Sequence, residues 1–332
     1  MTAPSLDVVA LGSAIVDVLT TAQDADLDAR GLVKGTMALV DDMRADELYA
    51  GMGPAVEASG GSAANTMAGV ASFGGSAAFI GKVRDDQLGE VFAHDIRAVG
   101  VSYATAPATA GPATARCLVF VTPDAQRTMT TYLGAATGLG PHDVDPAVVA
   151  SARYTYLEGY LWDPPEAISA LRLAISAASG AGRQVALSLS DPFCVDRHRE
   201  DFLELIDDHV DVLFANEVEI MSLFEVSSLA DAFDAVRKRG RCKLAAITLG
   251  PLGSAVVTPD GVTERPAARV DAVVDTTGAG DLYAAGFLHG LASGADLVQC
   301  ADRGSLAAAE VISHVGARPR VPLASLLEAG AG

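Results

Sequence analysis

The chain has 332 residues, half of them hydrophobic and 5% aromatic, and carries a formal net charge of −19. That length fits one large domain or two ordinary ones around a substantial core, and the acidity excludes nucleic acid and anionic membrane surfaces, which would be repelled at long range. Four scattered cysteines without a C-x-x-C pair point to buried thiols in a reducing compartment, and an N-terminal run broken by Gly12, Ser13 and Asp17 fits no signal peptide or membrane span, so the cytoplasm is expected.

In chain order, residues 8–11 open a series of short Val/Ala/Leu/Ile runs that recurs at 77–80, 154–157, 185–189, 212–215 and 244–248. Helical patterns such as 165–179 and 229–239 lie between them. Buried strands alternating with helices predict an α/β sheet covered on both faces, with ligands beyond the C-terminal strand ends. Abundant Gly and Ala suit helices packed closely on such a sheet. Two regions break the rhythm. Residues 15–21 with 35–40, and 116–121 with 127–133, read as two antiparallel pairs, the second joined by a turn at 122–126, and predict a small sheet standing off the main body. Asp85 or Asp86 caps a helix starting near Gln87, and the Ala/Gly tail after Leu327 is expected to fray.

Three later turns carry candidate chemistry. Asn216 and Glu219 stand three apart after a strand, which puts both on one helical face; the pair suits a hydrated Mg²⁺, and a capping box is the other reading. Thr248, Gly250 and Gly253 form a turn after the strand at 244–248. Residues 269–274 read as a short strand leading into Asp275-Thr-Thr-Gly-Ala-Gly-Asp281 and an apolar helix. There Gly278, Ala279 and Gly280 bring backbone N–H groups to a helix N-terminus, an anion cradle. Asp281 would repel a phosphate, so its expected task is to hold and deprotonate a hydroxyl that attacks phosphorus. An N-cap in a tight connection is the plain alternative.

Together with residues 60–65, 216–219 and 248–253, this last motif resembles the ribokinase-like (PfkB) family of sugar and nucleoside kinases over residues 8–319, and the longer segments are most similar to adenosine kinases. The resemblance implies a Rossmann-type α/β sandwich with a mostly parallel central sheet, a large body of residues 1–13, 41–112 and 135–332, and a discontinuous β lid of residues 14–40 and 113–134 over the acceptor. It implies ATP as co-substrate, Mg²⁺, and transfer of the γ-phosphoryl group to the 5′-hydroxyl of adenosine, giving AMP. Another nucleoside or a free sugar such as ribose or fructose is the alternative acceptor, and a non-catalytic nucleoside-binding regulator is the reading outside enzymes. By position, Asp17 and Asn65, with the backbone of Gly60 and Gly61, would hold sugar hydroxyls, while Leu39, Met129, Tyr160 and Phe193 would wall the base or simply pack the core. Thr248, Gly250 and Gly253 would lie beside the ATP, and Arg127 would close over the transferred phosphoryl group. Asp275 either turns its loop or helps bind a monovalent cation such as K⁺. Relatives' lids stand alone or pair, so monomer and homodimer are both open.

Overall fold

The computed structural model describes residues 4–124 and 126–329. Among these, nine strands form the large sheet in the order Gly261–Arg265, Ser254–Thr258, Leu244–Thr248, Val212–Asn216, Gln184–Ser188, Ala152–Glu158, Leu6–Leu11, Ala77–Ile80 and Ser102–Tyr103. Neighbours are parallel from Leu244–Thr248 onward, and the first two strands join antiparallel. Every apolar run read from the sequence lies in this sheet.

The strands are apolar at successive positions because both faces are covered. Val8 and Ala10 enter one core with Met67, Leu282 and Phe287, whereas Val9 and Leu11 enter the other with Leu171, Ile175 and Phe202. Helices Ser62–Ser72, Ala279–Ala292 and Leu297–Val311 cover the first face, and Pro165–Gly180 and Pro192–Asp208 the second. The glycines let the first three helices approach closely: a Cβ on Gly69 would meet the Cβ of Ala285, and one on Gly286 would meet the backbone of Arg303. The helices expected at 165–179 and 229–239 form as Pro165–Gly180 and Leu229–Arg237, and Asp86 caps Gln87–Ala98 by accepting from the Gly89 N–H at 2.8 Å. No helix among the described residues is long and apolar enough to cross a membrane.

The small sheet runs Met37–Leu39, Arg127–Tyr132, Ala115–Val121, Ile15–Thr21, Val56–Gly60. Its hairpin of Ala115–Val121 with Arg127–Tyr132 is antiparallel as expected; Ala125 of the connecting turn lies outside the described residues. The other pairing differs. Ile15–Thr21 does not pair with residues 35–40 but runs parallel to Ala115–Val121 and antiparallel to Val56–Gly60. Helix Asp24–Ala29 carries the chain across, so that Met37–Leu39 joins the far edge parallel to Arg127–Tyr132. The sheet thereby takes a fifth strand from the stretch 41–112 that was expected wholly in the large body.

Residues 269–274 form no strand. The chain on either side is pinned elsewhere: the Ala268 N–H, just before the segment, goes to the Ser305 hydroxyl and the Val274 N–H at its end to the Ile312 carbonyl. The C-terminal helix Leu323–Ala329 extends past Leu327, and residues 330–332 lie outside the described residues.

Candidate active site

Two cavities meet at the C-terminal edge of the large sheet. The larger, about 450 Å³, opens between the small sheet and the large body and is lined by Ile15, Met37, Leu39, Leu133, Tyr160 and Phe193, with Glu158 at its floor. Phe193 is 75% and Leu39 63% exposed, so these side chains wall an open site and do not pack a core. Met129 sits beside Met37 in the small sheet and does not line the cavity; Thr131, two residues on, does.

The smaller cavity, about 280 Å³, is polar. Its wall is made of adjacent strand ends, Ser188, Asn216 and Thr248, together with Glu219, Gly280 and Asp281. Ser62 lines both cavities and donates to Asp281 Oδ1 at 2.6 Å, while Asn65 Nδ2 donates to Oδ2 at 3.1 Å. Asp281 thus lines the polar cavity and is bonded to the wall residue that the two cavities share. Each of its oxygens keeps a lone pair for a further donor. Burial pushes its pKa above the ordinary carboxylate value, against the bonds from Ser62 and Asn65 and the charge of Arg318.

Local sequence explains the placement. Gly278 at φ +80° turns the chain into helix Ala279–Ala292, which puts Asp281 in the first turn, where helix N–H groups lack intrahelical partners. The Ala279 N–H is already given to Thr276 O at 3.2 Å, which removes it from the expected anion cradle and leaves Gly278 and Gly280. Gly61, at φ +94°, makes the corresponding turn into Ser62–Ser72 and so delivers Ser62 and Asn65. Gly60 lies directly over the Asp17 carboxylate; a Cβ there would overlap it. Burial raises the Asp17 pKa to about 6, with Arg318 and Arg127 pulling it down and Asp281 pushing it further up.

Arg127 reaches from the small sheet to the motif loop. It donates to Thr277 Oγ1 at 3.0 Å and forms an ion pair with Asp275. Asp275 also accepts from Thr277 N at 3.0 Å and Gly316 N at 2.9 Å, so its oxygens shape the loop. Asn216 and Glu219 form the capping box: Asn216 Oδ1 accepts from Val218 N and Glu219 N, both at 2.9 Å, and Glu219 accepts from Asn216 N at 2.9 Å and from Nδ2 at 2.7 Å. They still face the polar cavity. Thr248 lines that cavity, whereas Gly250 (φ +57°) and Gly253 (φ +104°) do not; they close the turn through Gly253 N to Gly250 O.

Three functional candidates escaped the sequence reading. Glu158, 1% exposed, accepts from Ala63 N at 3.1 Å and Ser13 N at 3.3 Å, and burial pushes its pKa to about 7. A Glu ending an otherwise apolar run was the available signal. Ser62 was visible inside the 60–65 motif without a role. Arg318 lies in Gly316-Ala-Arg-Pro-Arg320, where nothing periodic marks it.

A large, mostly parallel sheet covered by a small one, with a buried carboxylate in the first turn of a helix beside a polar cavity, is the arrangement of a ribokinase-like fold. The pfkB family carbohydrate kinase model matches residues 39–324, and the chain belongs to that family. It is an ATP-dependent phosphotransferase, with ATP as co-substrate. The chain is 51% identical to the adenosine kinase from Sinorhizobium meliloti, with a TM-score of 0.90 over 98% of this chain and 99% of that one. It is 46% identical to a probable sugar kinase from Rhizobium etli CFN 42, with a TM-score of 0.91 over 99% of both. An ATP-dependent ribose-1-phosphate kinase from Halopiger xanaduensis is 28% identical over 79% of this chain and 83% of its own length.

Proposed function

We propose that the protein transfers the γ-phosphoryl group of ATP to the 5′-hydroxyl of adenosine. The observation that carries this reading is Asp281 in a polar cavity that shares the wall residue Ser62 with an apolar, aromatic-lined one, with Asp17 held near it. The 450 Å³ cavity suits a purine between Leu39, Tyr160 and Phe193. Asp17 would accept from the two ribose hydroxyls and Asn65 would support the sugar. Asp281 would then align the 5′-hydroxyl and receive its proton late, since a loose phosphoryl-transfer transition state needs little early proton removal. The Gly278 and Gly280 amides would meet charge on the migrating group, with Arg127 able to swing from Asp275 onto it.

The donor side fits a hydrated Mg²⁺. Glu219 is 6% exposed with no ion-pair partner among the described residues, and burial with the charge of Asp191 pushes its pKa to about 7, so a cation would relieve it. Bound through water to Glu219 and Asn216, Mg²⁺ would neutralise charge on the ATP phosphates. For Asp275 the bonds to Thr277, Gly316 and Arg127 favour loop shaping over K⁺ binding. The four free, buried cysteines suit work in the reducing cytoplasm.

A free sugar is the second reading, favoured by the likeness to a probable sugar kinase. A panel of adenosine, other nucleosides, ribose and fructose with ATP·Mg²⁺, scored as kcat/KM, tests both. Preference for a free sugar over every nucleoside would overturn adenosine and leave the kinase chemistry standing.

A further inference from the structure

We infer that Arg318 is a positioning residue for phosphoryl transfer, fixing the Asn65 amide that donates to Asp281 and holding a cation beside the Asp17 and Asp281 carboxylates. The inference rests on the reading of Asp281 as the base.

Arg318 Nε donates to Asn65 Oδ1 at 2.9 Å, and Asn65 Nδ2 donates to Asp281 Oδ2 at 3.1 Å. A guanidinium only donates and a carboxylate only accepts, so the amide between them has a single satisfied orientation. Without Arg318, one end of that amide loses its anchor. The remaining Arg318 nitrogens, Nη1 and Nη2, are shut off from solvent and have no hydrogen-bond partner. Two orphaned donors in a buried site work against stability, so stability does not explain the residue. The segment is also tied to the motif loop: Gly316 N donates to Asp275 Oδ2 at 2.9 Å, and Ala317 packs where a Cβ on Gly278 would stand. Arg318 is thereby held in register with the helix that carries Asp281.

The charges around it are Asp17, Asp95 and Asp281. Asp95 is occupied by the N–H and hydroxyl of Ser59. Asp17 faces Arg127 as well, Asp281 faces Ser62 and Asn65, and both Asp17 and Glu158 feel the negative charge of Asp281. Removing the Arg318 cation therefore lets the carboxylates take up protons at higher pH.

The test is a kcat and kcat/KM pH profile of the full chain with ATP·Mg²⁺ and its best acceptor, for Arg318→Met, Arg318→Gln, Asn65→Ala and the Arg318→Met/Asn65→Ala pair. Arg318→Met should move the acid limb up by about one unit and lower the high-pH kcat by up to about 100-fold. Arg318→Gln, which can still donate to Asn65, should move the limb while keeping most of the high-pH kcat; it carries the test if Arg318→Met fails to fold. At high pH the double variant should be no slower than Asn65→Ala. An unmoved limb, or losses that multiply in the double variant, would overturn the inference. Asp281→Asn is assayed alongside: if it is inactive while Arg318 variants match wild type, only the role of Arg318 falls, whereas an active Asp281→Asn overturns the base and this inference with it.

Discussion

The two cavities share the wall residue Ser62 but are built differently. The polar one is made by consecutive strand ends of a single sheet, Ser188, Asn216 and Thr248, so each donor is placed by the strand and turn that carry it. The apolar one is enclosed by Met37, Leu39 and Leu133 on one side and Tyr160 and Phe193 on the other, pieces drawn from separate stretches of residues 37–193. The small sheet is fastened over the motif loop by Arg127, through Thr277 and Asp275. The half built on consecutive strand ends should govern rate and metal use, and the half completed by the small sheet should govern which acceptor is taken.

The most severe test of that division is Asp281→Asn, beside the shared wall residue. Asn keeps the shape and can still bond to Ser62, yet it cannot take a proton, so turnover should fall by about 10²–10⁴-fold with ATP binding retained. Circular dichroism and nucleotide titration check that the variant is folded; near-wild-type kcat would return Asp281 to a capping role. Next comes Asp17→Ala on the acceptor side. Losing a charged acceptor for two hydroxyls should cost about 2–3 kcal/mol in kcat/KM for adenosine, with ATP affinity unchanged. Wild type should discriminate strongly against 2′-deoxyadenosine, and the variant should lose most of that discrimination. Equal discrimination by both proteins would remove Asp17 from the site.

The same contrast explains what could be read from the sequence. The strands at 8–11 or 244–248 are legible because a strand covered on both faces must be apolar throughout, and the turn that carries Asp281 is legible because its glycines and the apolar helix after it are contiguous in sequence. The pairing of Ile15–Thr21 was not, since strand partners in the small sheet depend on a helical crossover and on Val56–Gly60, which has no local turn to announce it. Residues 269–274 had strand composition, but composition does not say that the N–H groups of Ala268 and Val274, at the two ends of the segment, will find Ser305 and Ile312. Asn216 and Glu219 form the capping box, and the carboxylate it orients faces the polar cavity, so the box leaves the Mg²⁺ reading open to test. Arg318 and Glu158 gain meaning only from neighbours 253 and 95 residues away.

Glu158 sharpens the comparison through stability, as the buried carboxylate of the acceptor half. Its folded pKa, about 7, lies above the ordinary 4.5, so the folded state binds more protons than the unfolded between those values. Stability from this group is present at low pH and is lost as pH rises through about 7. Glu158→Gln keeps an acceptor for the Ser13 and Ala63 N–H groups and removes the charge. It should therefore stabilise the protein by about 2 kcal/mol at pH 8 and hardly at all at pH 5, as thermal melts at the two pH values would show. An equal shift at both would mean that the carboxylate is not charged against its surroundings.

On the donor half the smallest effect is the most specific. Glu219 has the same raised pKa, about 7, from burial and from Asp191, but it faces the polar cavity. A carboxylate that titrates there binds a dication weakly when protonated, so the Mg²⁺ needed for half-maximal rate should rise as pH falls through about 7. Bound metal favours the ionised form, and raising Mg²⁺ should push that transition to lower pH. Glu219→Gln can keep the capping bond to Asn216 N while losing the charge, so its Mg²⁺ requirement should be roughly tenfold higher and flat across the same pH range, with the acceptor KM little changed. Mg²⁺ titrations at saturating ATP from pH 6 to 8, run on both proteins, measure this directly. If both show the same requirement and the same slope, Glu219 serves only to cap its helix, and the polar half would owe its metal to other groups.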